Sequence, residues 1–380
     1  MKEGGIYLHI PFCRNKCIYC DFYSGGSRIA DWDRYTLAVT KELKTRINKE
    51  LTFLPNTLYL GGGTPSLIPE EVLRNTIESI NEITGNSQWK EFTIEVNPED
   101  VTAKKCKTWK EIGINRVSIG IQSLNDLELS TIGRRHSALM GEKAIDLLSE
   151  YFHNVSVDVM FGIPDQTLTT YEKTLEKIIS KHPTHISSYS LMLEPGTAMT
   201  LLHEKGKLPL PEEEQWMKMF ELTTIILDQS GYKRYEISNY ALEGFESLHN
   251  QNYWLGKPYI GLGPSAHSYD GEKIRRANPN DLKGYLDFFE NPGFKNEAFY
   301  TKENLTEGEQ EEEMIMTRLR LIKGLDINLF GKRFGEKKKK NLLQKAIRYI
   351  NQGLMKEEKG YLKFTDKGFI ISDALLCNLI

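Results

Sequence analysis

Six short β-rich runs, Ile6–Ile10, Thr57–Leu60, Phe92–Val96, Val117–Ile121, Val155–Phe161 and Ile186–Leu191, alternate with segments whose apolar residues recur at helical spacing. A strand that leads through a helix into another strand returns by a right-handed crossover, which lays the strands parallel. The alternation therefore predicts an α/β fold with a parallel sheet, either doubly wound or curled into part of a (β/α) barrel. Both architectures gather ligands at the carboxyl ends of their strands.

The residues at and just beyond each strand end are then the informative ones. After the first run come Cys13, Cys17 and Cys20, and after the second comes Gly61-Gly-Gly-Thr-Pro65. Glu95 lies in the third run, with Asn97-Pro98 behind it; Gln122-Ser123 come after the fourth, and Asp158 lies in the fifth. A glycine triplet alone is an ordinary turn, and a strand-end acid ordinarily caps the next helix. Five such features on successive strands mark a site.

Composition narrows the class. No apolar run approaches the roughly 18 residues that cross a bilayer, and Met1–Ile10 lacks the apolar core of a secretory signal, so the expected location is cytoplasmic. Five cysteines, three of them crowded together, do not read as a disulfide framework. A net charge of −3 favours neither nucleic acid nor an anionic membrane as partner. Near residue 290 the pattern changes. Pro292-Gly293 marks a break, helical segments come next over 309–323, 328–334 and 337–352, and a hairpin turns at Lys359-Gly360. This predicts a barrel over 1–290 and a C-terminal α+β winged-helix-like domain over 291–380. The basic block Lys337–Lys340 reads as a solvated helix start and not as a DNA contact.

Thiolates are soft ligands for zinc, copper(I) or iron–sulfur clusters. Structural zinc takes four protein ligands, and only His9, inside an apolar β run, stands near enough in sequence to complete a set with the three cysteines. A four-iron cluster held by three cysteines keeps one iron open for a ligand. Spacing alone leaves both metals admissible.

Cys-x3-Cys-x2-Cys after the first strand, Gly-Gly-Gly-Thr-Pro after the second and six βα units together closely resemble the radical S-adenosylmethionine (SAM) proteins, whose fold is a partial (β/α)6 barrel. Tyr7-x-His9-Ile-Pro-Phe-Cys13, Ile119-Gly-Ile-Gln-Ser123 and Asp158-x3-Gly162-Ile-Pro resemble the branch that contains oxygen-independent coproporphyrinogen III dehydrogenase and the haem chaperone HemW. The resemblance implies a 4Fe-4S cluster on Cys13, Cys17 and Cys20 and SAM on its open iron. It places Tyr7 and Tyr19 beside them, and Gly62, Gly63 and Thr64 against the methionyl end of SAM. Glu95, Gln122, Arg134 and Asp158 match further SAM contacts.

Three features separate the two relatives. Phe22 stands where the dehydrogenase has an extra cysteine, the first strand begins almost at once, and His249-Asn-Gln-Asn-Tyr-Trp254 matches the His-Asn-x-x-Tyr-Trp motif of HemW. All three favour the chaperone, with haem bound at His249 or, as the weaker candidate, at His267 of Gly261-Leu-Gly-Pro-Ser-Ala-His267. The implied partners are haem, haem-accepting proteins and an electron donor, with room for a peripheral membrane contact and a homodimer. The rival reading is the dehydrogenase itself, a radical SAM oxidative decarboxylation; a zinc-stabilised nucleic-acid module is the third. Cys106 and Cys377 read as packing residues.

Overall fold

The computed structural model describes residues 2–26, 31–291 and 299–380. The six expected strands are present as β1 (Glu3–Ile10), β2 (Leu54–Gly62), β3 (Glu91–Val96), β4 (Arg116–Gln122), β5 (Asn154–Phe161) and β6 (His185–Ser190). Each pairs in parallel with the next in chain order. The sheet then continues past both ends with shorter strands that periodicity did not reveal. Asn239–Ala241 and Lys233–Arg234 extend it beyond β6, while Tyr259–Leu262, His267–Tyr269, Ile274–Ala277 and Thr301–Asn304 extend it beyond β1. The 12-stranded sheet stays open between its two outermost strands, which makes the barrel a partial one.

Alternation along the strands explains both the layers and the site. Ile6, Leu8 and Ile10 of β1, Leu58 and Leu60 of β2, Phe92 and Ile94 of β3, Val117, Ile119 and Ile121 of β4 and Val155, Val157 and Val159 of β5 are fully buried. They pack with helix residues such as Leu43, Ile77, Trp109, Leu148 and Tyr171 in one continuous core. Each such side chain contributes about 1.5–3 kcal/mol by leaving water. Because side chains alternate, the intervening positions face the barrel interior. These are Tyr7 and His9, Thr57 and Tyr59, Glu91, Thr93 and Glu95, Arg116 and Ser118, Ser156 and Asp158, and His185 and Ser187. The interior is therefore polar while the outer layer is apolar, and a one-residue slip would exchange them.

Four of the covering helices start on side-chain caps. Thr102, Asn125, Ser137 and Thr167 each accept a backbone N–H of the first helical turn. A short helix, Leu248–Trp254, closes the amino-terminal end of the barrel. Its first amides, Leu248 N and His249 N, both donate to the buried carboxylate of Glu91 at 2.8 Å, and Ser247 Oγ does so at 3.2 Å. A negative charge fixed at a helix N-terminus is favourable there.

The C-terminal part has helices Glu307–Leu319, Ile327–Phe334 and Glu336–Asn351, and a three-stranded sheet in which Leu325–Asp326 and Met355–Glu358 flank Tyr361–Phe364. This is a winged-helix arrangement. Its hairpin turns at Lys359 and Gly360, both at positive φ as a two-residue turn requires. Lys338 of the basic block is ion-paired with Glu307 and Glu311, and Lys339 donates to Asn328. Arg318 donates to the carbonyls of Trp254 and Leu255, which docks this part on the barrel floor. The break at Pro292-Gly293 lies outside the described residues. Among those residues no helix is long and apolar enough to cross a membrane.

Candidate functional site

At the carboxyl ends of the strands a cavity of about 490 Å³ opens, and Cys13, Cys17 and Cys20 all line it. All three thiols are free and half-buried. The Cys20 N–H donates to the Cys17 carbonyl, tightening the loop, while Thr64 Oγ1 lies 3.4 Å from Cys13 Sγ and Arg134 Nη1 3.5 Å from Cys17 Sγ. Among the described residues no three His, Cys, Asp or Glu side chains converge on one point where a single ion would sit. His9, the candidate fourth zinc ligand, is buried with Nε2 at 2.8 Å from the Tyr23 carbonyl and Nδ1 at 3.1 Å from the Tyr7 hydroxyl.

Gly62, Gly63 and Thr64 line the same cavity, but their amides are committed within the protein. Gly62 N donates to Glu95 Oε2 at 3.2 Å, Gly63 N to the Ile10 carbonyl at 2.7 Å and Thr64 N to the Phe12 carbonyl at 2.8 Å. A Cβ on Gly63 would stand 2.7 Å from those two carbonyl oxygens and 3.0 Å from Cys13 Sγ. The glycine is thus required by the cysteine loop pressed against it, and the three amides are not donors for a ligand. Gly62 has a φ of +105°, and a Cβ there would meet the His9 ring at 2.6 Å.

Glu95, Gln122, Arg134 and Asp158 converge on the cavity from four different segments. Glu95 accepts from the Tyr59 hydroxyl at 2.7 Å, and burial pushes its carboxyl up to about 7. Burial also raises the Asp158 carboxyl, partly offset by the Ser187 and Ser118 hydroxyls. Gln122 is held in the left-handed region, φ +66°, at a register shift between β4 and β5. Arg134 Nη2 donates to Asn97 Oδ1 at 2.8 Å and to the Gly120 carbonyl at 2.7 Å, while its Nε is buried without a partner. The adjacent Arg135 is exposed and His136 is buried against the Ile121 carbonyl, so three successive residues have three separate roles. Tyr19 lines the cavity; Tyr7 lies behind it in the barrel wall, beside His9. Burial raises both phenols.

The His-Asn-x-x-Tyr-Trp segment forms the floor helix. His249 is 1 % exposed, with Nδ1 at 2.8 Å from Thr57 Oγ1 and Nε2 at 2.8 Å from the Tyr253 hydroxyl, and burial depresses its imidazole to about 3. Both nitrogens are therefore engaged. Asn250 lines the cavity from below, and Tyr253 and Trp254 line a smaller cavity of about 210 Å³ on the other side of the helix, shared with Arg275, Glu313 and Arg318. His267 is exposed on its strand. Of the two remaining cysteines, Cys106 is fully buried, whereas Cys377 is exposed and packs little.

Residues that sequence reading did not single out complete the lining. Arg116, Ser118, Ser187 and Tyr189 face the cavity from β4 and β6. Their signal was the period-two alternation itself, since each occupies an inward position. Met192, 60 % exposed, also belongs to the lining, as does Phe22, which the sequence marks only for the cysteine it replaces.

A partial parallel barrel with three cysteines after its first strand and a glycine segment after its second defines a radical SAM protein. Residues 7–178 match the profile of the Radical SAM superfamily, and residues 305–371 match that of the HemN C-terminal domain. The chain belongs to the HemW family: it is 38 % identical over 331 residues to the haem chaperone HemW of Bacillus subtilis, covering 87 % of this chain and 86 % of that one. It is 32 % identical over 369 residues to that of Lactococcus lactis, covering 97 % and 95 %. The fold is shared with coproporphyrinogen III oxidase HemN from Escherichia coli, at a TM-score of 0.84 and 21 % identity over 100 % of this chain and 90 % of that one.

Proposed function

We propose that the protein binds haem and passes it to acceptor proteins, and that it carries a 4Fe-4S cluster on Cys13, Cys17 and Cys20 with SAM in the adjoining cavity. The observation that carries the cofactor part is the single cavity that brings the three thiols together with Glu95, Gln122, Arg134 and Asp158. Thiols that share a cavity without converging on one point suit a cluster, in which each cysteine binds a different iron, better than a lone zinc ion. A reduced cluster of this kind supplies one electron to bound SAM. On this reading Arg134 places positive charge beside Cys17, Glu95 and Asp158 offer acceptors in the interior, and Tyr19 shields the thiols from water.

Haem comes to the proposal from the relatives' names and from the His249–Trp254 motif. His249 can ligate iron only after its contacts with Thr57 and Tyr253 open, whereas the exposed His267 needs no such opening. We therefore assign the motif to the barrel floor and the axial imidazole to His267. An electron donor, haem acceptors, a cytoplasmic location and the division into 1–290 and 291–380 belong to the same proposal, with Thr301–Asn304 as a strap from the second unit onto the first sheet. The dehydrogenase reading has the shared fold and the match to the HemN C-terminal domain behind it. A haem titration on anaerobically reconstituted protein, run beside a coproporphyrinogen turnover assay, tests the assignment. Haem binding without turnover is the expected result, and steady turnover would overturn it.

A further inference from the structure

The cavity of about 210 Å³ on the far side of the floor helix gathers three guanidinium groups against one carboxylate. Arg275, Arg318 and Arg333 line it, and its one acid, Glu313, is ion-paired with Arg275. The other two arginines meet only neutral oxygens among the described residues. Arg318 donates to the Trp254 and Leu255 carbonyls, and Arg333 donates to the Gln310 side chain and the Glu272 carbonyl. Burial and then the neighbouring Arg333 charge hold the Arg318 guanidinium below its ordinary range. Two like charges facing each other in a half-enclosed space are costly until an anion joins them. The remaining walls are largely aromatic: Tyr253 and Trp254 of the floor helix, Tyr259, and Tyr269, whose ring centroid lies 4.7 Å from the Arg275 guanidinium. Arginines set among aromatic rings suit a ligand edge that is both flat and acidic.

This cavity adjoins the assigned haem ligand. Tyr269 and His267 stand two residues apart on one strand, so their side chains share a face and lie about 7 Å apart along it. Their partners across the ladder are Arg275 and Ala277, which puts the arginine on that face as well. The Arg275 charge reaches the His267 imidazole and adds to burial in lowering it. A space of about 210 Å³ is too small for a whole macrocycle but accommodates a carboxylate arm. We propose that Arg318 and Arg333, with Arg275 beside them, receive a propionate of haem in this cavity, while the macrocycle lies outside it over His267. The planar fork of a guanidinium matches the two oxygens of that carboxylate. The inference rests on the proposed haem binding at His267. It adds an anchor for the acidic edge, and it gives the C-terminal helices that carry Arg318 and Arg333 a share in the haem site.

Full-length, anaerobically reconstituted protein is titrated with haem, haem dimethyl ester, protoporphyrin IX and its dimethyl ester. The metal-free pair reads the acidic edge without axial ligation. The wild type should prefer each acid to its ester by about tenfold or more, the scale of one charge-assisted hydrogen bond. Arg318→Gln and Arg333→Gln should each reduce that preference by about threefold or more. The Soret position of bound haem should not move in either, because His267 is untouched. His267→Ala should do the reverse, shifting the Soret band while the acid preference of the metal-free pair survives. Lys332→Gln removes an exposed charge one residue away from the lining and should change neither readout. Arg318 also docks the C-terminal part, so the exposed Arg333 decides the matter if Arg318→Gln does not fold. An acid preference absent from the wild type, or retained in full by the arginine variants that fold, would overturn the proposal and leave haem binding standing. A wild type that binds neither porphyrin overturns the haem reading and this pocket with it.

Discussion

The imidazole of His249 lies stacked on the ring of Tyr59, with centroids 4.9 Å apart and planes inclined by 26°. The hydroxyl of that tyrosine donates to Glu95, and Glu95 in turn holds the amide of Gly62. The floor helix, the barrel interior and the glycine segment beside the cysteines therefore form one contact chain, through which a disturbance at either end reaches the other.

The cysteine loop gives the most direct test. Replacing Cys13, Cys17 or Cys20 by Ala should remove about four irons per chain and the charge-transfer absorption. Cys106→Ala should leave both intact, because Cys106 is fully buried away from the cavity. Iron analysis and visible spectra of the four variants decide.

Gly63→Val should do more than block a ligand. Its side chain would press on the Ile10 and Phe12 carbonyls and on Cys13, so cluster content and melting temperature should fall together, with a cost of about 1–3 kcal/mol or more. A normal cluster with selective loss of SAM affinity would show that the loop yields at no cost.

Glu95 gives a pH signature. Its carboxyl holds its proton up to about 7 in the folded chain, against 4.5 as the ordinary value, so the folded state binds more protons between those limits. Stability from this group is present below about pH 4.5 and is lost as pH rises through 7, amounting to roughly 3 kcal/mol at most. His249 acts in the opposite sense, losing stability as pH falls from 6.5 toward 3. Denaturant midpoints measured from pH 4.5 to 8 should accordingly fall less with rising pH in Glu95→Gln than in the wild type.

The two histidines separate in haem binding. His267→Ala should shift the Soret band or weaken haem affinity about tenfold or more, while His249→Ala should mainly lower the melting temperature, because it removes the buried imidazole that bonds both Thr57 and Tyr253. The reverse pattern would return the axial role to His249.

Glu91→Ala should destabilise the protein by about 2–4 kcal/mol, since three donors, two of them helix N-terminal amides, lose one buried acceptor. Equilibrium unfolding measures the change. An effect under about 0.5 kcal/mol would mean that the floor helix is held mainly by Tyr59 and Thr57.

The strands and the cysteine loop were legible because their constraints are local: alternation arises from burial on one face, and metal ligation demands thiols at short spacing. Arg116 escaped notice because it stands one residue ahead of the apolar run that begins at Val117, although alternation already placed it on the inward face. The strands from Tyr259 to Asn304 have only three or four residues each, too few for a period to emerge. Gly63 shows a different limit. Its need for close approach was readable, but the approaching group is the chain's own backbone, and only tertiary structure can name it. His249 is similar: the motif marks it, yet whether it meets a metal or a threonine depends on a strand nearly two hundred residues away.

Because neighbouring positions along β1–β6 look in opposite directions, the residues that make the barrel stand and those that decide what it holds are different sets. Changing Ser118 or Ser187 edits the lining without opening the layer beneath the helices, and changing Ile94 or Val157 does the reverse. A lineage built on this scaffold can exchange its cargo through a few letters on alternate positions while its skeleton stays recognisable, and its divergence should be read separately on the two registers.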